Sequence, residues 1–503
     1  MNRHQSIALF VLLLAGFVTI FDLFVVNVAI VSIQQSLNAN LTQITLIIVG
    51  YELAFGLLLI TGGRLGDIYG KKSLYRVGMT LFTITSLLCA LAPTASLLVT
   101  SRFLQGLSAA LLFPQVYSSI RINFNEQTAK KAFGYLGMSL GLAAIAGQAL
   151  GGWLITLDLF GLGWRTIFLV NLPIGAVAVF LSGFLLEGHR MKVNLDWYGV
   201  FLSSSGICCA LFPLLMLPVW GWSTIGTVLL ISGIMLLTLF VYQEKRLEKQ
   251  GKAPLFTLSI LTHRDFVIGL LVVMSVYATS SAFPLMLSLL LQKGMGLTPF
   301  LSGLIFVPSS IGFVISSIIT PYWTRRYGDR VIFWGAIFYA ISYVLLLIAL
   351  YAFSLNSPVE WLSPILFFIG FTQGMIMTPM LNLVLAKVTP ELVGQASGFT
   401  ATLQQIGAAM GATSVSVIMQ YALAAMPKQL PFEQLKWAIS WGLGFNVLMA
   451  ICAAVLLLMI TGRLTLLYKN SLQHGFAINV ALGMVVCFYS ITMPLKKDKI
   501  NHP

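Results

Sequence analysis

Long apolar stretches alternate with short polar ones along almost the whole chain. Fourteen of the apolar stretches are about 20 residues long or longer, the length that an α-helix needs to cross the hydrocarbon core of a bilayer. The short connections make successive helices antiparallel. This pattern predicts an all-α polytopic membrane protein with 14 transmembrane helices, near 7–34, 42–64, 74–92, 97–120, 133–156, 164–187, 197–218, 224–243, 266–292, 299–322, 331–353, 361–384, 397–422 and 437–461.

One further apolar segment, 476–495, is also long enough to span a membrane. If it did, Lys496, Lys497 and Lys499 would follow it on the side that is otherwise poor in basic residues. The segment is therefore either a fifteenth span or a stretch that lies on the inner surface. The sequence leaves both alternatives open.

The basic residues predict the orientation of the chain. Of the 29 Lys and Arg residues, 21 lie in or beside the loops on the side of the N-terminus. Loops with an excess of Lys and Arg stay in the cytoplasm, so the N-terminus is expected there. The net charge of +14 is spread in small groups between spans, which predicts contact with membrane lipid and excludes a nucleic-acid arm. Four basic residues fall on the opposite side: Arg165, Lys293, Lys428 and Lys436.

The composition argues against an enzyme. Apolar residues make up 58% of the chain and charged residues 9%, and no stretch could form a soluble domain of useful size. The sequence contains no Gly-Lys-Ser/Thr phosphate-binding loop, and its five cysteines lie in apolar runs without metal-ligand spacing. We therefore expect no catalytic site, no cofactor and no metal.

Two polar hinges indicate an internal duplication. Gly63–Lys72 separates the second and third apolar runs, and a weaker copy, Pro321–Arg330, separates two later ones. Pairs of matching residues recur about 260 positions apart, as for Gly147 and Gly407. Such duplications are typical of secondary transporters, in which the substrate path lies between the halves. The expected parts are a six-helix bundle (1–190), an inserted helix pair with a linker (191–263), a second six-helix bundle (264–462) and a tail (463–503).

Several motifs resemble those of one transporter family. They are the first-helix motif Phe21–Ala29, the hinge Gly63–Lys72, the helix 4 motif Arg102–Gly106, and the helix 5 motif Gly147–Gly152. Together they resemble the major facilitator superfamily, and within it the fourteen-span drug:proton antiporter-2 family. The resemblance implies the major facilitator fold and proton-coupled export of drugs across the bacterial inner membrane, which we expect a monomer to perform. The chain departs from the family pattern at Gln148, where a Pro is usual.

Two acidic residues fall well inside predicted spans. A charge at such depth costs at least a few kcal/mol and usually faces a partner or an aqueous cavity. With a rise of about 1.5 Å per residue, Asp22 on helix 1 and Arg102 on helix 4 come to a similar depth, so we expect them to pair or to exchange partners. Glu52 falls near the midplane, where no Lys or Arg is expected, so its partner would be a proton or a bound cation. Asp22, Glu52 and Arg102 are thus the candidates for proton coupling, the alternatives being a structural ion pair or a cavity-facing spectator.

Two groups of residues are candidates for gating. The charged hinge can act as a topological signal, as a latch against neighbouring helix ends, or as both. Glycines on helix 5 allow close helix approach, which serves packing, a gating surface, or both. The candidates are Gly63, Gly66, Asp67, Gly70, Lys71, Gly147, Gly151 and Gly152.

Polar and aromatic side chains within the spans are candidates for binding a small-molecule substrate. The alternative role is hydrogen bonding or packing between helices. The candidates are Asn27, Tyr51, Glu52, Gln105, Phe113, Gln115, Gln148, Phe283, Gln373, Met377 and Gln404.

The sequence thus favours proton-coupled export of lipophilic or cationic small molecules. A dedicated exporter of one metabolite, lipid or siderophore would show the same features with a narrower cavity. A transporter-like receptor or scaffold is the alternative of another class, against which the buried Asp22 and Glu52 argue.

Overall fold

The computed structural model of the protein describes residues 3–188, 190, 196–250, 254–328, 330–385, 388, 392–425 and 431–460. Within these ranges the chain is helical and forms no strand. The predicted tail, including 476–495, lies outside the described residues. The helices are α1 (Arg3–Leu37), α2 (Leu41–Tyr69), α3 (Lys71–Leu91), α4 (Ala95–Asn123), α5 (Glu126–Leu157), α6 (Thr166–Leu169), α7 (Asn171–Leu181), α8 (Trp197–Trp220), α9 (Thr224–Lys249), α10 (Arg264–Ser288), α11 (Pro299–Tyr327), α12 (Arg330–Ala352), α13 (Ser363–Leu385), α14 (Val393–Ala425) and α15 (Pro431–Ile460).

The prediction of 14 membrane spans is confirmed for the described residues, since 14 helical segments are long and apolar enough to cross a bilayer. Helices α6 and α7 together make the sixth span, within Gly163–Phe184. Several helices begin at capping residues. Asn40 and Gln43 form a capping box before α2, and Thr94 accepts a hydrogen bond from the Leu97 N–H at the start of α4.

The spans form two groups that we call the N-terminal half (α1–α7) and the C-terminal half (α10–α15). The α8–α9 hairpin contacts α2 and α14, one helix from each half. We call the end of the bundle that carries the α2–α3 loop the hinge end, and the opposite end the distal end. Gly70 makes the tight α2–α3 connection with φ +100°, a backbone conformation that favours glycine.

The two halves are packed together at the distal end. On one side α5 meets α11, where a Cβ added to Gly152 would come within 2.9 Å of Phe300 Cα. On the other side α2 meets α14, where the Thr45 hydroxyl donates a 2.6 Å hydrogen bond to Ser416 Oγ. A third tie comes from Gln292, which donates to the Val28 carbonyl at 2.9 Å. The distal end is therefore closed by small residues and by hydrogen bonds between the halves.

A short linker at the hinge end touches both halves. The Arg64 guanidinium of α2 donates to the Pro254 carbonyl at 3.4 Å. Thr257 donates to the Gln395 side chain of α14 through its backbone N–H (3.0 Å) and its hydroxyl (2.7 Å). The described linker, Pro254–Thr257, thus joins α2 to α14.

Candidate functional site

A buried ion pair lies inside the N-terminal half. Asp22 on α1 and Arg102 on α4 are at most 1% exposed, and Arg102 Nη1 pairs with Asp22 Oδ2. The predicted pairing of these two residues is confirmed. The other carboxylate oxygen, Oδ1, accepts hydrogen bonds from the side-chain amides of Asn171 (2.9 Å) and Gln105 (3.1 Å). Three side chains from α4 and α7 therefore surround the carboxylate of Asp22 on α1, and we call these four residues the Asp22 cluster.

Arg102 also connects this cluster to α2. Its Nε donates to the Ile47 carbonyl at 3.2 Å, and its guanidinium carbon lies 4.3 Å from the centre of the Tyr51 ring. A buried cation is tolerated only when its donors are satisfied and its charge is paired. The charge of Arg102 is paired with Asp22, its Nε and Nη1 are hydrogen-bonded, and the aromatic face adds a cation–π interaction. Arg102 thus links the Asp22 cluster to α2.

Glu52 lies one residue beyond Tyr51 and faces the C-terminal half. Its side chain is 3% exposed, and Oε1 accepts a 2.7 Å hydrogen bond from the hydroxyl of Ser281 on α10. Its second oxygen, Oε2, has no partner among the described residues. Sequence reasoning did not anticipate this serine, and the expectation that a proton or a bound cation is the partner of Glu52 stays a prediction. Ser281 is neutral, however, so it supplies no positive charge to balance the Glu52 carboxylate.

Three of the predicted binding residues instead join helices of the N-terminal half. The Tyr51 hydroxyl donates to the Thr19 carbonyl at 3.1 Å. Gln115 donates to the Gly62 carbonyl at 2.8 Å, and Gln105 donates to Ser86 Oγ at 2.7 Å as well as to Asp22. All three side chains are fully buried. In this conformation their donors hold helices together, and their predicted role in substrate binding stays a prediction.

The remaining predicted binding residues lie on helices of both halves. Gln148 on α5 accepts a 3.3 Å hydrogen bond from Ser310 on α11, and Asn27 is buried with its Oδ1 unpartnered among the described residues. Phe283 packs edge-on against Phe306 and Tyr343. Four others are half-buried, and their role stays a prediction: Phe113, Gln373, Met377 and Gln404.

The C-terminal half holds a neutral counterpart of the Asp22 cluster. Thr279 and Tyr339 share a 2.7 Å hydrogen bond, and the Tyr339 and Tyr343 hydroxyls lie 3.1 Å apart. All three side chains are buried. Formal charge is thus present in the buried polar cluster of one half and absent from this cluster of the other.

The hinge and the start of α3 make several polar contacts, both within the hinge and with the segment that follows α7. Asp67 pairs with Lys71 across one helical turn at the α2–α3 connection. Lys72 donates to the Gly183 carbonyl at 2.7 Å, and Glu187 accepts from the backbone and side chain of Ser73 at 3.4 Å each. The hinge glycines are placed by close packing or turn geometry: Gly66 lies against Gln115, Gly70 lies beside Glu187, and Gly63 has Pro114 at 3.9 Å from an added Cβ.

The helix 5 glycines make close contacts on two faces. A Cβ at Gly147 would meet the Phe21 carbonyl at 2.8 Å, and one at Gly151 would meet Val25, both on α1. Gly152 faces α11 instead. This helix therefore packs tightly inside its own half and also forms the distal seal.

Several residues of these sites were not singled out by sequence reasoning. Ser86, Ser281 and Glu187 are common residue types without a periodic signal, and only the fold brings them to their partners. Asn171 lies inside the predicted sixth span, so its polar side chain was the available signal. Glu244 lies one residue past the predicted eighth span, yet it is fully buried. Among the described residues no group of three or more His, Cys, Asp or Glu could hold a metal ion.

Within the described residues, 14 apolar spans form two packed halves and a hairpin, with buried carboxylates inside one half and at the junction, and this arrangement defines the class of secondary transporters. Residues 12–197 and 195–412 match the sequence model of the Major Facilitator Superfamily, and the chain belongs to this family. It is a multi-pass membrane transporter of small molecules and not an enzyme.

The chain is similar to several bacterial export and resistance proteins. It is 36% identical to a probable actinorhodin transporter of Streptomyces coelicolor, over 80% of this chain and 70% of that protein. It is 31% identical to the puromycin resistance protein pur8 of Streptomyces alboniger, over 83% of this chain and 82% of that protein. A multidrug resistance protein Stp of Mycobacterium tuberculosis is 27% identical, over 84% of this chain and 78% of that protein.

A solved structure shows the same fold. The bacterial homologue of the human lysosomal transporter Spinster, in an inward-facing and unoccupied conformation, superposes with a TM-score of 0.67. The match covers 92% of this chain and 98% of that one at 13% identity. At this identity the likeness shows the fold alone, and it confirms the predicted fold class.

Proposed function

We propose that this protein exports lipophilic cationic small molecules from the bacterial cytoplasm in exchange for protons, as a monomer in the inner membrane with its N-terminus in the cytoplasm. The observation that carries the proposal is Glu52. It is buried between the two halves, one oxygen accepts from Ser281, and the other has no partner among the described residues.

The position of Glu52 makes a proton and a cation competitors for one site. A carboxylate without a countercharge is costly away from water, so it takes up a proton or binds a cation. If a substrate cation and a proton exclude each other there, each lowers the affinity for the other by linkage. Export of the cation against uptake of a proton then follows without a second energy source.

The Asp22 cluster supplies the coupling to conformation. A proton on Asp22 removes the countercharge of Arg102, which also contacts Ile47 and Tyr51 on α2. Tyr51 and Glu52 are adjacent in the same helix. Loss of the ion pair therefore perturbs α2 at the residue beside the proposed substrate site.

Alternating access requires that both ends of the bundle open in turn. The close contacts at Gly152 form a seal that can separate without breaking side-chain ion pairs. At the hinge end, Asp67, Lys71 and Glu187 form the polar contacts of a latch. We assign Gly63, Gly66, Gly70, Gly147 and Gly151 to the surfaces that allow these movements.

The relatives support export of drug-like molecules. Their names refer to puromycin resistance, to multidrug resistance and to an actinorhodin transporter. The last of these, at 36% identity, favours a second candidate function, the dedicated export of one metabolite. Both candidates use the same site, and they differ in the breadth of the substrates that are accepted.

Transport by purified protein in liposomes tests the proposal. An imposed pH gradient should drive accumulation of a lipophilic monocation such as ethidium, and the same preparation should exchange ethidium in counterflow without a gradient. Glu52→Gln should lose ethidium transport in both assays and retain any uncharged substrate. Glu360→Gln, an exposed acid in a distal loop, is the matched control.

Three outcomes would contradict the proposal or narrow it. Ethidium transport that does not depend on the pH gradient would contradict proton coupling. Equal loss of charged and uncharged substrates in Glu52→Gln would show that Glu52 does not recognise substrate charge. Transport of only one compound in a broad screen would favour the dedicated exporter.

A further inference from the structure

A second pair of carboxylates, one on a buried residue and one on a half-buried residue, lies apart from Asp22 and Glu52, where the α8–α9 hairpin meets the linker. Glu244, near the hinge end of α9, is fully buried. Asp196 caps the start of α8, where its Oδ1 accepts a 3.0 Å hydrogen bond from the Gly199 N–H. Neither residue belongs to the transport sites described above.

The two carboxylates converge on one point beside Gly199. A Cβ added to Gly199 would stand 2.7 Å from Glu244 Oε1 and would also contact Asp196 Oδ2. These two oxygens are buried and have no hydrogen-bond partner among the described residues. The other oxygen of each carboxylate accepts a backbone N–H, which for Glu244 comes from Phe256 at 3.1 Å. Each group is thus anchored through one oxygen and turns its free oxygen towards the other.

Two acceptors in this arrangement require a ligand between them. Two ionised carboxylates that share a buried site repel each other, so one of them holds a proton or the pair holds a cation. Magnesium and calcium take six or more oxygen ligands, whereas the pair offers two free oxygens. A single proton satisfies both free oxygens, because one carboxyl then donates to the other.

The basic side chains described around the pair do not take the place of a proton between the two free oxygens. Lys245 and Arg246, the neighbours of Glu244 on α9, have exposed side chains. From α2, Arg64 reaches the linker at the Pro254 carbonyl. Lys192 and Lys252 lie outside the described residues.

The linker that Glu244 holds also contacts the C-terminal half. Phe256, whose N–H binds Glu244, stacks on Phe399 of α14 with the ring centroids 4.1 Å apart. The next residue, Thr257, binds Gln395 on the same helix. The hairpin contacts α14 directly, and the contact between Phe256 and Glu244 adds a second connection to that helix through the linker.

We propose that Asp196 and Glu244 bind one shared proton, and that this proton fastens the linker to the α8–α9 hairpin. When the proton leaves, both carboxylates are charged, their repulsion separates them, and the contact with Phe256 is lost. Docking of the linker is then favoured at low pH and weakens as the pH rises. The site responds to the pH at the hinge end and does not require substrate. The proposal therefore goes beyond the proposed function.

Hydrogen–deuterium exchange of the linker in the full-length protein, reconstituted in lipid nanodiscs without substrate, tests this proposal. Exchange at 254–258 is measured from about pH 5.5 to about pH 8.5 and corrected for intrinsic exchange. In the wild type the corrected rate should rise with pH by up to about tenfold per unit, the limit for the loss of one proton. In Glu244→Gln the amide can donate to Asp196 and its carbonyl can accept from Phe256, so the rate should stay low at every pH.

A second variant and a control complete the test. Asp196→Asn keeps an acceptor for the cap of α8 and gains an amide donor towards Glu244, so it should also abolish the pH dependence, even if Glu244→Gln folds poorly. Glu248→Gln, one turn further along α9, should behave as the wild type. Corrected exchange that does not change with pH in the wild type, or pH dependence that survives in both variants, would overturn the proposal. Restored protection at high pH on addition of sodium or magnesium chloride would show that a metal cation, not a proton, occupies the site.

Discussion

Ser281 on α10 donates a 2.7 Å hydrogen bond to Glu52 on α2, and this bond joins the two halves of the transporter at a buried carboxylate. A rocking motion that separates α2 from α10 must break it. The bond is made to a group that can hold a proton, a cation or neither. The contribution of this hydrogen bond to the contact between α2 and α10 therefore depends on whether Glu52 holds a proton, a cation or neither.

Replacing Ser281 with Ala should weaken cation transport without abolishing it. A hydrogen bond to a charged group contributes about 1.5–3 kcal/mol, so the apparent affinity for ethidium should fall by roughly tenfold or more. The measurement is the concentration dependence of ethidium counterflow in liposomes. Ser280→Ala, on the half-buried neighbour, is the control. Unchanged affinity in Ser281→Ala would show that the hydrogen bond makes no contribution to cation binding.

Replacing Asp22 with Asn should abolish proton-driven transport and lower thermal stability. The substitution leaves Arg102 buried without a countercharge, and loss of one partner of a buried pair typically costs about 3–5 kcal/mol. The double variant Asp22→Asn/Arg102→Gln should recover stability but not pH-driven uptake. Thermal melting and gradient-driven uptake are measured on the same preparations. Full uptake by either variant would exclude Asp22 from coupling.

A larger residue at Gly152 should open the distal end. Gly152→Val places side-chain atoms where α5 touches Phe300 of α11, and overpacking of this kind costs roughly 1–3 kcal/mol in the closed state. Spin labels at the distal ends of α5 and α11 should report a new, longer distance. Gly137→Val is the matched control, because an added Cβ there meets nothing within 4 Å. The same distance distribution in both variants would argue against a seal at Gly152.

Replacing Asp67 with Asn should slow turnover more than it weakens substrate binding. Asp67 is 35% exposed and pairs with Lys71 within one helical turn, so its loss should change the melting temperature little. Glu187→Gln, which weakens the contact with Ser73, should act in the same direction. Turnover and ethidium affinity are compared in purified protein. A large loss of affinity at normal turnover would contradict a latch.

Much of this fold follows from the sequence, because the bilayer imposes one length and one polarity on every span. The pairing of Asp22 with Arg102 was predictable as well, since depth in the membrane can be counted along a helix. The partner of Glu52 was not, because a serine carries no such constraint and Ser281 becomes relevant only when the halves meet.

The polar residues within spans show a related limit. Gln105, Gln115 and Tyr51 were predicted as possible binding residues, and sequence position does not reveal that their donors are satisfied inside one half. Glu244 was overlooked because it falls at the edge of a span, where charge is ordinary. Depth is encoded locally in the chain, whereas the direction in which a side chain points depends on tertiary packing.

The neutral hydroxyl cluster of the C-terminal half has an electrical consequence. Thr279, Tyr339 and Tyr343 carry no formal charge, and Asp22 and Arg102 cancel as a pair. A membrane potential exerts about 2.3 kcal/mol per elementary charge per 100 mV, so it acts on Glu52 when that carboxylate is empty and on the Asp22 cluster when Asp22 holds a proton. The hydroxyl cluster of the C-terminal half stays neutral in both cases. The charge carried in each cycle by these three sites is therefore set by what Glu52 and Asp22 hold.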